Sequence, residues 1–122
     1  MSSFRELRAW QLAHKLAIEC SNAARSFPRY ELFTEAAQLR RSAYSVPLNI
    51  AEGSSRLGPR DCRRILDIAL ASFRETEAAL LLARDQDYIN PQDYARLETL
   101  CTETGKTLSG LLRAVSSAAN NT

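Results

Sequence analysis

Apolar positions along this chain recur at steps of three and four, the spacing that keeps one side of an α-helix together. Four such stretches follow one another, with no strand-like alternation between them. In the first, Leu12, Leu16 and Cys20 share a broad face with Trp10, Ala13, Ala17, Ala24 and Phe27. Ser3 with Glu6 three residues on reads as a capping box, and Phe27-Pro28 closes the stretch, so a helix is predicted over about 4–26. His14, the only histidine, falls at the edge of this face beside Trp10 and is expected to be a hydrogen-bonded interior or interface residue.

The second stretch predicts a helix over about 31–54. Leu32, Ala36, Leu39, Ala43, Val46, Ile50 and Gly53 form its apolar stripe. Pro47 sits well inside, where a proline costs roughly 3 kcal/mol in an ordinary helix. The stripe keeps its phase on both sides of Pro47, so a kink is expected rather than a break, with Ser45 and Asn49 near enough to satisfy freed backbone groups. Gly58-Pro59 opens a third helix over about 59–86, whose apolar residues cover roughly 200° of the circumference. That is wider than one core requires, and predicts either a central helix or a subunit contact. Asn90-Pro91 with Asp93 starts a fourth helix over about 91–118, with a seam of Tyr94, Leu97, Cys101, Thr104, Leu108, Leu111, Val115 and Ala118. Gly105 and Gly110 each weaken that helix by about 1 kcal/mol against alanine, so packing must hold it. Four long helices with short connections, in a chain of 122 residues, predict a single domain: an all-α, up-down-up-down antiparallel four-helix bundle with its second helix kinked at Pro47.

A second stripe changes the picture of helix 2. Gln38, Arg41, Ser45, Asn49, Glu52 and Arg56 lie within an arc of about 80°, away from the apolar stripe. Such a row suggests an interface or a ligand contact. Arg41, Asn49, Glu52 and Arg56 could form a buried network that fixes helix pairing or subunit register, a reading favoured for Asn49 and Glu52. Arg41 and Arg56 are the better candidates for an exposed ligand contact. Glu75 at the edge of the third helix's apolar face and Glu77 within it need partners if buried, and the helix 2 arginines are candidates.

Composition adds little by itself. Apolar content of 45%, charged content of 25% and a net charge of +2 are ordinary for a globular domain and do not alone imply nucleic acid. The cations are skewed, with fourteen arginines against two lysines. Arginine suits bidentate phosphate and carboxylate contacts, and codon bias gives the same skew. Arg60, Arg63, Arg64 and Arg74 share one side of helix 3, with Arg40, Arg41 and Arg56 on the adjoining helix. These seven are the candidate nucleic-acid contacts, although Asp61 and Asp67 stand among them and no aromatic residues are interleaved for base stacking. Cys20, Cys62 and Cys101 lack CxxC spacing and read as buried free thiols of a reducing compartment. No signal peptide or membrane span is recognised, so a cytoplasmic location is expected. One histidine, with no GxSxG, phosphate loop or Glu-x-x-His pair, leaves no catalytic residue, metal ligand or cofactor to assign.

The runs LRAWQLAHKLA, FPRYE, QLRRSAYSVPLNIAEGSSR, RRILDIALASFRETEAALLLA and DYI carry a resemblance. The chain resembles, over about 4–115, the bacterial four-helix-bundle family named for proteins encoded in intervening sequences of large-subunit ribosomal RNA. The likeness is most specific from Gln38 to Glu77. It departs at Ala71, where the family usually has glycine, and at Phe73, where it has an aliphatic residue. The resemblance implies rings of five subunits and a fold shared with accessory proteins of diversity-generating retroelements, which bind a reverse transcriptase and nucleic acid. It brings no defined chemistry. The expectation is a non-catalytic homo-oligomeric binding module associated with RNA or DNA, the alternative being a protein-interaction scaffold with no nucleic-acid role.

Overall fold

Leu7 interrupts the first expected helix. In the computed structural model, which describes residues 3–121, Phe4–Glu6 forms a separate 3-10 turn and Leu7 is extended (φ −71°, ψ 125°) before helix α1, Arg8–Ala24. The extended residue lets Leu7 pack on the core while Phe4 folds back edge-on against Trp10, ring centroids 5.1 Å apart. The capping box does not form: the Ser3 hydroxyl accepts from the Arg5 amide (3.2 Å), and the Glu6 amide goes to the Ser3 carbonyl.

The second helix also starts later than its pattern suggests. Arg29–Glu31 makes another 3-10 turn, Thr34 has irregular dihedrals, and α2 spans Glu35–Ser54. Leu32 therefore drops out of the apolar stripe and is exposed, whereas Ala36, Leu39, Ala43, Val46, Ile50 and Gly53 are buried. Helix α2 continues through Pro47 without a break. Asn49 donates to the Ser45 carbonyl (2.8 Å), not to the Ala43 carbonyl, which a proline at position 47 deprives of its donor.

Helices α3 (Pro59–Asp85) and α4 (Pro91–Asn120) match their start signals. The Asn90 side chain accepts from the Asp93 amide at 2.8 Å. The end of α3 is a Schellman motif with no glycine. The Tyr88 amide bonds the Ala83 carbonyl (2.9 Å), the Asp87 amide bonds the Arg84 carbonyl (3.0 Å), and Asp87 takes φ 61°.

The helices close a ring in which α1 packs on α2, α2 on α3, α3 on α4 and α4 on α1, while the diagonal pairs do not approach. The described residues contain no strand. This is an all-α four-helix bundle. Leu16, Leu39, Ile50, Leu66, Phe73, Leu97 and Leu108 fill its centre. The α1–α4 seam carries two ion pairs at its surface, Arg8–Glu103 (2.7 Å) and Arg96–Glu19 (3.3 Å). At the α2–α3 end, a Cβ on Gly53 would sit 3.3 Å from Leu66 Cδ2, so glycine allows close approach there.

Candidate nucleic-acid interface

The polar stripe of α2 faces mainly its own chain. Gln38 donates to Glu75 of α3, and Arg41 reaches only the Gln38 amide oxygen (3.2 Å). One turn on, Ser45 and Ser72 share a hydroxyl hydrogen bond (2.7 Å), with Asn49 donating to Ser45 Oγ at 2.9 Å. Beside them Thr76 and Ser42, both buried, bond at 3.0 Å. At the turn, Arg56 pairs with Glu52 (2.6 Å) and Asp61 (3.5 Å), and Arg64 with Asp61 (2.8 Å). The Arg64 hydrogen bond, then the charges of Arg64 and Arg56, hold the Asp61 carboxyl below its ordinary range. The row thus divides into a half-buried hydroxyl–amide zipper and an exposed ion-pair cluster. It is not one buried network, since Arg41, Glu52 and Arg56 are exposed.

The seven candidate arginines do not converge. Arg40 lies on the α1 side of α2, with Nε 3.4 Å from the Ser21 hydroxyl. Arg41, Arg56 and Arg64 border the α2–α3 seam, the last two tied to acids. Arg60 and Arg63 are exposed and form no ion pair among the described residues. Arg74 lies on the far side of α3, paired with Glu77 at 2.9 Å. Glu77 therefore finds its partner one turn away on its own helix, and Glu75 finds an amide, so the helix 2 arginines serve neither carboxylate.

Helix α4 supplies cations that the sequence pattern had not connected with this surface. Arg74, Lys106 and Arg113 line one open cleft of about 540 Å³ between α3 and α4, with Thr102 and Ser109 beside them. Its one acidic lining residue, Glu77, is engaged by Arg74. Arg63 lies on the same side of α3, eleven residues or about 16 Å from Arg74. Lys106 and Arg113 stand seven residues apart on one face of α4. That spacing was a signal in the sequence, but pairing it with Arg74 required the α3–α4 register.

A different surface lies across α1 and α2. His14, Ile18, Tyr44, Pro47 and Leu48 line a groove of about 460 Å³. Ile18 is 50%, Tyr44 42% and Leu48 67% exposed. His14 is itself exposed and stacks on Trp10, centroids 4.6 Å apart, so of the interior and interface positions expected for it the interior one does not hold. The apolar width of α3 is only partly absorbed by the core, because Ile68 remains 46% exposed.

Cys20 and Cys101 are buried, Cys62 is half-buried, and all three are free thiols. Burial pushes the Cys101 thiol up to about 12, with Glu77 and Glu98 adding to the shift. Cys20 is raised still further by burial and then by Cys101, and Cys62 is raised by burial and Asp61. None is an activated nucleophile. Among the described residues no group of three His, Cys, Asp or Glu side chains is placed to hold a metal ion.

The model of the 23S rRNA-intervening sequence protein family matches residues 5–110. The chain belongs to that family. A solved structure of a protein of unknown function from the S23 ribosomal protein family of Bacteroides thetaiotaomicron is similar, with a TM-score of 0.78 and 25% identity. The match covers 86% of this chain and 95% of that one. No curated protein matches the chain. Within this family member, the segment Gln38–Glu77 builds the α2–α3 seam, while the cationic cleft lies on the other side of α3. No helix among the described residues is long and apolar enough to cross a membrane.

Proposed function

We propose that this protein is a non-catalytic, self-associating module that binds RNA along the cleft between α3 and α4. The observation that carries the reading is the convergence of Arg74, Lys106 and Arg113 on one cleft whose single acid, Glu77, pairs with Arg74 and leaves Lys106 and Arg113 without an ion pair among the described residues. The two cations without an acid partner, with the Ser109 hydroxyl beside them, suit phosphate oxygens, which accept from both. Arg63 extends the row along α3, and repetition around an oligomer would multiply a field that the net charge of +2 understates. DNA offers the same phosphates; single-stranded RNA is the first ligand to test. A non-catalytic role accords with buried thiols of raised pKa and a lone histidine stacked on an indole. Three free cysteines suit a reducing compartment, the cytoplasm.

The test is fluorescence anisotropy with a single-stranded RNA at two salt concentrations. Lys106→Glu with Arg113→Glu should weaken binding at least about tenfold and flatten the salt dependence by about 0.7 of a log unit for each phosphate left without its cation. Reversing Arg41, Arg60 and Arg64 together should do less. No binding by the wild type at low salt, or equal binding by the cleft variant, sinks the proposal.

Self-association rests on the exposed Ile18, Tyr44 and Leu48 around the α1–α2 groove. The family resemblance makes the expected assembly a homopentamer. Leu48→Arg should shift light scattering toward the 13.6 kDa protomer. A wild type that is monomeric at micromolar concentration removes this half of the reading. The second reading, a protein-interaction scaffold, is favoured by the same groove. It predicts partner binding that tolerates salt and responds to Leu48→Arg but not to the α3–α4 charge reversals.

A further inference from the structure

The opposite side of α3 holds a cleft of the other charge. Glu31, Glu35 and Glu75 line a depression of about 550 Å³ where the start of α2 meets the end of α3, floored by Ala78, Ala79 and Leu82. Seven other acidic residues of this chain pair with arginine. These three do not, and neutral donors alone serve them. Glu31 accepts from Thr34 and from the Tyr88 hydroxyl (2.7 Å), Glu75 from Gln38, and Glu35 Oε2 from Gln86 (3.0 Å). Arg41 stops on the far side of the Gln38 amide.

Glu35 is the independent observation. Its side chain is buried (7% exposed), and its second oxygen, Oε1, is buried without any donor. An orphaned buried acceptor costs about 1–3 kcal/mol, and more where the group is charged. Burial, then the charge of Glu31, raises the Glu35 carboxyl above its ordinary value, which a nearby cation would relieve. The three carboxylates do not gather closely enough to hold a metal ion. The floor is aliphatic, and Leu82 is 54% exposed on it. An extended organic cation has the matching shape: a methylene stem for Ala78, Ala79 and Leu82, and a multi-donor head for the carboxylates.

We propose that this cleft receives a basic side chain, arginine or lysine, from a partner protein. The stem lies along Leu82, and the head group bonds Glu75 and Glu31 and reaches Glu35 as the exposed Gln86 side chain turns aside. This surface is separate from the RNA cleft, and either proposal can fail without the other.

The test is an amide-resolved NMR titration of the full chain with a blocked Ala-Arg-Ala peptide. Its counterpart carries citrulline, which keeps the stem and loses the charge, and a third arm uses spermidine. The arginine peptide should shift amides within 31–38 and 75–86 with millimolar affinity, and the citrulline peptide should shift none of them. Glu35→Gln with Glu75→Gln should weaken binding at least about tenfold. Glu75→Lys, a change at an exposed position that supplies a resident cation and leaves the buried Glu35 in place, should abolish it. Glu103→Gln, on the α1–α4 seam, should leave it unchanged. Equal shifts with citrulline, undiminished binding by Glu75→Lys, or binding of spermidine without the arginine peptide would each overturn the proposal.

Discussion

The edge of the Phe73 ring occupies the space that a side chain at residue 105 would need. A Cβ built on Gly105 would lie 2.9 Å from Phe73 Cε2 and 3.0 Å from Cζ, so close that the ring would have to shift. Phe73 is fully buried on α3, and Gly105 of α4 makes room for it. The two residues are one packing solution divided between two helices.

Gly105→Ala should therefore destabilise the fold by about 1–3 kcal/mol, despite alanine's better helix propensity. Gly110 is the internal control. A Cβ there meets only Arg113 Nη2 at 3.8 Å, so Gly110→Ala should stabilise by about 0.5–1 kcal/mol. Urea denaturation midpoints for the two variants should move in opposite directions. The double variant Gly105→Ala, Phe73→Leu should recover part of the loss.

Asp87 holds the left-handed position of the α3 Schellman motif, a place that favours glycine. Asp87→Gly should raise stability by about 0.5–1 kcal/mol, read as a higher melting temperature. Asp87→Val, branched at Cβ, should lower it.

The buried thiols impose a pH dependence. Cys101 has a folded-state pKa of about 12 against an ordinary 9.0, so between those values the unfolded chain releases a proton that the folded chain retains. Fewer protons bound in the unfolded state means stability falls as pH rises, beginning near pH 9 and complete above about 12. Cys20 is raised in the same sense and steepens the fall. Cys101→Ala should flatten this limb in a melting-temperature series from pH 8 to 11. In native protein at pH 8, a disulfide reagent should label Cys62 first, with Cys20 and Cys101 reacting only on unfolding.

The hydroxyl zipper between α2 and α3 should matter modestly. Ser72→Ala leaves the half-buried Ser45 hydroxyl still served by Asn49, and should cost about 0.5–1.5 kcal/mol. Thr76→Val, at a fully buried site bonded to Ser42, should cost at least as much. Denaturant titration distinguishes both from wild type.

The fold was legible in the sequence where apolar period and helix signals agreed, as at Asn90-Pro91 and along Ala36–Gly53. It was least legible at the starts of the first two helices, where tertiary contacts override local pattern. Phe4 leaves the first helix to pack on Trp10, and Leu32 is lost to an irregular Thr34. The polar stripe was visible as a row on α2, but a row does not say what it faces; Ser72 and Glu75 settle that from another helix. Both charged clefts depend on which residues of two helices stand opposite each other. Lys106 and Arg113 gain meaning only beside Arg74, and Glu35 only once Gln86 and Leu82 close around it.

The backbones of diagonal helices do not approach one another, and three of the four seams join helices consecutive in the chain. The α1–α4 seam alone brings together distant segments, with Arg8 and Glu103 separated by 95 residues. Hairpins can form from local contacts, whereas this last seam bears most of the loop-closure entropy. Its exposed ion pairs offset little of that cost. Closing the ring of helices at this one seam is therefore the step for which the chain gives up the most loop entropy.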